Sequence, residues 1–112
     1  MAKVKISDSL LNEIEKKFKG ESYEVIDLLE TLEENPKKGK FIAQVSGIVV
    51  KELKYKNYRF YFIADNYKIR FLRVEDLKDL LIKFVRMSDK KDQQKTIDEI
   101  KIILKKLGKE GF

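Results

Sequence analysis

The chain has 112 residues, 43% of them hydrophobic, with one proline; that is enough for one compact core and too few for two ordinary domains, so a single domain over 1–112 is expected. It has no cysteine and no histidine, which excludes a disulfide framework, the usual zinc spacings and every nucleophilic triad that needs an imidazole. The net charge of +6 is unevenly placed, since residues 1–40 carry −1 and residues 41–112 carry +7. The last two thirds can therefore act as an electrostatic footprint for a polyanion, although a lysine-rich solvated surface accounts for the same charge.

The first residues, "MAKVKISDSLLNEIEKK", lack the apolar stretch of a signal peptide, and nowhere does an apolar run reach the roughly 18 residues of a membrane span. A soluble, cytoplasmic protein with no membrane association is expected. Charged residues at 39%, lysine foremost, lean toward a thermophile.

In chain order, Ile6, Leu10, Leu11, Ile14 and Phe18 recur at helical spacing, with Ser7 or Asp8 as cap and Gly20 as the left-handed stop. A second helix follows on Val25, Ile26, Leu29 and Leu32 and ends at Asn35-Pro36. So short a connection predicts an antiparallel helical hairpin. From Phe41 the period becomes two. "FIAQV", "IVVKELKY", "YRFYFIA" and "YKIRFLR" alternate and are rich in β-branched and aromatic residues, which predicts an antiparallel meander. The segment "VEDLKDLLIKFVRMS" suits either helix or strand; a short turn near 75–79 and then a strand from about Leu80 to Met87 is the reading adopted. Thr96 and Glu99 have the spacing of a capping box, Ile97, Ile100, Ile103, Leu104 and Leu107 supply an apolar stripe, and Gly108 is the expected stop. Helical hairpin, meander and final helix make an α+β fold.

Alternation places Glu52, Lys54 and Lys56 on one strand face and Lys51, Leu53 and Tyr55 on the other, and pairs Arg59 with Tyr61 opposite Tyr58, Phe60 and Phe62. Cations interleaved with aromatics suit phosphate contact and base stacking, which makes Lys51, Lys56 and Tyr61 candidates for RNA contact; aromatics in strands also serve simply as core. No phosphate-binding or dinucleotide glycine pattern is present, and the acids fall mostly in helix first turns and loops. What remains for chemistry is Lys, Arg and Tyr. Such groups stabilise a phosphoryl group in transfer and suit RNA, whose 2′-hydroxyl is a nucleophile of its own.

The order "KELKYKNYRFYFI", then "KFVRM", then the polar loop "SDKKDQQKT" leading into the last helix resembles the RelE/ParE toxin superfamily, above all its HigB-like branch. The resemblance covers roughly Gly47 to Leu107, and the two preceding helices match the family's helical hairpin. It implies a RelE-like fold and the toxin of a type II toxin–antitoxin system: a metal-independent mRNA endoribonuclease with no cofactor, acting on ribosome-bound message and inhibiting translation until a cognate antitoxin silences it. Carried over, Lys54 takes the last place of "KELK", where the family tends to have arginine, and Arg59 takes the arginine of the Tyr-Arg strand. Arg86 falls near the end of the last strand, and Lys90, Lys91 and Lys95 match the basic loop. The roles implied are a phosphate clamp for Arg59 and Arg86, proton transfer for Lys54 or Lys91, and backbone contacts for Lys90 and Lys95. The chain departs from the pattern where Ile97 and Asp98 follow Thr96 in place of a proline, where "LRVEDLKDL" is inserted between strands, and at Met87, where relatives often have histidine. A non-catalytic module binding nucleic acid or a partner on the same fold is the alternative.

Overall fold

The structure, a computed structural model, describes residues 2–107. It is α+β: five strands, β1 (Lys3–Ile6), β2 (Lys40–Val45), β3 (Ile48–Tyr55), β4 (Tyr58–Asp65) and β5 (Leu81–Asp89), form one sheet in the order β1-β5-β4-β3-β2. Neighbours are antiparallel except β1, which lies parallel to β5. Helices α1 (Asp8–Phe18) and α2 (Ser22–Glu30) pack on one face, and α4 (Gln93–Leu107) packs on the other. Among the described residues, no helix is long and apolar enough to cross a membrane.

Period-two alternation in the central strands explains the two cores. Leu53, Phe60, Phe62, Ile82 and Phe84 meet Leu10, Ile14, Val25 and Leu29 on the hairpin side. Ile48, Val50, Tyr61, Ile63 and Val85 meet Ile97, Ile100 and Leu104 beneath α4. Each fully buried Leu, Ile or Phe stabilises the fold by about 1.5–3 kcal/mol relative to exposure, so the sheet is held from both faces.

Several local expectations are corrected. Ile6 belongs to β1, because Lys3 N–H donates to the Leu80 carbonyl at 2.8 Å and Ser7 N–H to that of Phe84 at 3.0 Å. Ser7 does cap α1, its hydroxyl accepting from Leu10 N–H at 3.3 Å. The left-handed residue after α1 is Lys19 (φ 46°), not Gly20, and a 3-10 turn, Lys19–Glu21, continues directly into α2. The expected strand "YKIRFLR" is the helix α3 (Asn66–Phe71), started by Asp65, whose carboxylate accepts from Lys68 N–H at 2.9 Å. Thr96 is buried inside α4, not at its cap; its N–H donates to the Asp92 carbonyl at 3.0 Å, so the helix begins nearly a turn earlier. The turn and strand expected between 75 and 87 are present as a 3-10 turn at Val74–Asp76 and β5. Gly108 lies outside the described residues.

Candidate functional site

The tip of the β3–β4 hairpin is clamped to the helical hairpin. Lys56, in the turn with φ 53°, leaves the strand alternation, and its ammonium pairs with Glu21 at 2.5 Å. Tyr55 donates to Glu21 at 3.1 Å, and Phe18 meets the Tyr55 and Tyr58 rings edge-on at 5.7 and 5.2 Å. Hydrogen bonds from Lys56 and Tyr55 hold the Glu21 carboxyl below its ordinary range, and the same Glu21 contact raises Lys56. The expectation that Lys56 shares a face with Lys54 therefore fails: the turn carries it round to Glu21.

This anchoring fixes the neighbouring residues on the opposite face, where two cross-strand rows run over the sheet. One row is Lys40, Glu52, Tyr61 and Arg86; the next is Lys54, Arg59 and Ser88. Arg86 owes its place to a β-bulge, since Tyr61 pairs with Arg86 while the adjacent Phe62 pairs with Phe84. The extra residue, Val85, turns into the α4 core and shifts the alternation by one, which brings Arg86 onto the face of Tyr61. Unbroken alternation would have sent Arg86 to the hairpin side with Phe84.

Lys54 is exposed and Arg59 and Arg86 are partly so, at the edge of the area that α4 covers. Arg59 Nε lies 3.8 Å from Glu52 Oε2, and Arg86 Nη1 donates to the Val85 carbonyl at 2.9 Å. Lys38, Lys40, Glu52, Lys54 and Arg59 line one cavity of about 400 Å³. Within it Glu52 is 6% exposed, and its Oε2 accepts no hydrogen bond in the structure. A buried carboxylate oxygen without a donor is costly, and cations stand on both sides of this one. Alternation alone puts Glu52 on the face of Lys54; the cross-strand register adds Lys40 on one side of it and, with the 3.8 Å contact, Arg59 on the other.

Of the other expected site residues, Lys90 and Lys91 are exposed between β5 and α4. Lys95 lies in the first turn of α4 and lines a polar groove with Glu13, Lys17, Asp89, Asp92 and Glu99. Two do not fit the contacts expected of them. Tyr61 is fully buried, its hydroxyl 2.9 Å from Ser88 Oγ, so its ring offers no face for a base to stack on; burial raises its pKa. Lys51 is buried on the hairpin side of the sheet, donating to the Lys37 carbonyl at 2.9 Å, with its pKa lowered by burial and by the Lys37 charge. It points away from Lys54. Met87 is buried in the hairpin-side core, whereas Arg86 faces the other way. Among the described residues no cluster of carboxylates, cysteines or histidines could hold a metal ion.

No protein-family model, curated protein or solved structure matches the chain.

Proposed function

We propose that the chain is a RelE-like toxin of the HigB-like branch, an mRNA endoribonuclease whose substrate lies on the face carrying Lys54, Arg59 and Arg86. The observation that carries this reading is the cross-strand register that puts these three cations on one sheet face, with Glu52, whose Oε2 accepts no hydrogen bond, beside Arg59. A strand of RNA brings phosphate oxygens to the cations and a 2′-hydroxyl donor to the carboxylate.

In the reaction, Glu52 accepts the proton of the 2′-hydroxyl, and that oxygen attacks the adjacent phosphorus. The bond from phosphorus to the 5′-oxygen of the next nucleotide breaks, and the Lys54 ammonium protonates the departing oxygen. Arg59 and Arg86 hold the non-bridging oxygens as their charge grows. The products are a 2′,3′-cyclic phosphate and a 5′-hydroxyl, and proton transfer from Glu52 to Lys54 restores the site. Lys90 and Lys91, exposed at the end of β5, extend the basic surface for the continuing RNA strand, and Lys95 reaches it from a groove that it shares with four carboxylates. A message held on the ribosome is the expected substrate, and a small acidic antitoxin covering the basic face is the expected inhibitor.

The test is to incubate the protein with programmed ribosomes and analyse the RNA ends. Cleavage giving cyclic phosphate and 5′-hydroxyl ends is expected, falling by about 10²–10³-fold in Arg59→Ala and in Arg86→Ala, the loss seen on removing one preorganised donor to a developing charge. Binding without cleavage by the folded wild type would replace this reading with a non-catalytic nucleic-acid-binding module.

A further inference from the structure

On the opposite side of the sheet, a cavity of about 550 Å³ lies beside α3. Three cations, Lys37, Lys51 and Arg70, line it without any carboxylate, over an apolar floor of Val49 and Ile69. Phe41, 58% exposed, stands at its rim. The remaining lining residue is Asn66, only 8% exposed, with its side-chain oxygen buried and unpaired.

The Asn66 oxygen is the feature that asks for a ligand. A buried amide oxygen without a donor costs about 1–3 kcal/mol, and the exposed Phe41 ring stands beside three cations. The Lys51 ammonium has three N–H donors, of which one goes to the Lys37 carbonyl. The whole therefore combines phosphate donors, an apolar and aromatic wall, and an amide able to read a base edge. Asparagine pairs in two places with adenine, accepting from its exocyclic amine and donating to its ring nitrogen. The volume falls in the range of pockets for small organic ligands.

We propose that this cavity is an adenylate site, with the base between Phe41 and Asn66 and the phosphate on Lys51, Lys37 and Arg70. The adenylate is either a free nucleotide or one residue of an RNA strand. The site is independent of the cleavage reading, because Lys51 and Lys54 point to opposite faces of the sheet.

Heteronuclear NMR of the full chain titrated with AMP, with inorganic phosphate and with the trinucleotide AAA tests it. Saturable shifts at Lys51, Asn66 and Ile69 on adding AMP are expected, weakened about tenfold or more in Phe41→Ala and in Arg70→Ala, two exposed substitutions that the fold tolerates. Lys51→Met should abolish them. Tighter binding of AMP than of AAA assigns the site to free nucleotide, and the reverse assigns it to a strand; either supports the proposal. It is overturned by the absence of saturable shifts at about 10 mM AMP, by shifts indifferent to Phe41→Ala and Arg70→Ala, or by equal shifts with inorganic phosphate.

Discussion

Lys54 stands directly opposite Arg59 in the β3–β4 ladder, and two cations in that relationship oppose folding. Facing side chains on neighbouring antiparallel strands have Cβ atoms about 5 Å apart, and like charges there are destabilising. Glu52 offsets only part of this, at 3.8 Å from Arg59. Lys54→Thr, which removes the charge and introduces a β-branched residue suited to a strand, should raise stability by about 0.2–1 kcal/mol in denaturant unfolding. The same substitution should reduce RNA cleavage by about 10²-fold or more. A cation kept at the expense of stability fits a site built for an anion.

In the proposed complex, salt dependence distinguishes cations that contact RNA from those engaged elsewhere. Each phosphate neutralised on a single strand contributes about 0.7 to the slope of log affinity against log salt. Arg86→Ala should lower the measured slope by about that amount in a fluorescence titration. Lys56→Ala should leave it unchanged, because Lys56 is already paired with Glu21.

Two glycines with positive φ should respond differently to alanine. Gly39, at φ 110°, would place a Cβ 2.8 Å from Cζ of the buried Phe62 and 3.2 Å from the Glu52 carbonyl oxygen, so Gly39→Ala should cost about 1–3 kcal/mol through backbone strain and overpacking together. Gly47, at φ 78° in the β2–β3 turn, has open space around it. There the cost should be the backbone strain alone, about 1 kcal/mol. Thermal or denaturant unfolding of both variants measures the difference.

Lys51 predicts a pH effect of definite sign. Burial and the neighbouring Lys37 lower its pKa in the folded protein, so between that value and the ordinary lysine value the unfolded chain binds more protons than the folded one. Stability from this group rises with pH through that window and is flat below it. Wild type should therefore gain stability relative to Lys51→Met as pH rises toward 10, read from unfolding midpoints at each pH. Lys37 and Arg70, the other charges at the cavity, are present in both proteins.

The helical hairpin, the β2–β4 meander and the last helix are legible in the sequence because each rests on a long, clean hydrophobic period. The misread elements are short or have two periods at once. Ile6 fits the helical spacing of Leu10 and Ile14, and only its parallel pairing with the distant β5 claims it for the sheet. In α3, tyrosine, isoleucine and phenylalanine alternate like a strand, and the overriding signal is the Asp65 cap. The site divides in the same way. Local alternation is enough to place Lys54 and Arg59 together when their strands pair tip to tip, but the arrival of Arg86 depends on the Val85 bulge, and the burial of Glu52 on the covering of its strand from both sides. The residues that alternation makes look exposed, Lys51 and Tyr61, are buried because cavity walls and the α4 contact reach farther along the sheet than period two alone implies.

Lys54, Arg59 and Arg86 are proposed to form an RNA-cleaving surface. Inducing wild type and the Arg59→Ala/Arg86→Ala double variant in cells, then mapping new 5′ ends across translated messages, tests it most directly. Growth arrest with discrete in-frame cuts from wild type, and neither from the folded double variant, is the predicted result. No new ends from folded wild type, or the same ends from both proteins, would contradict it.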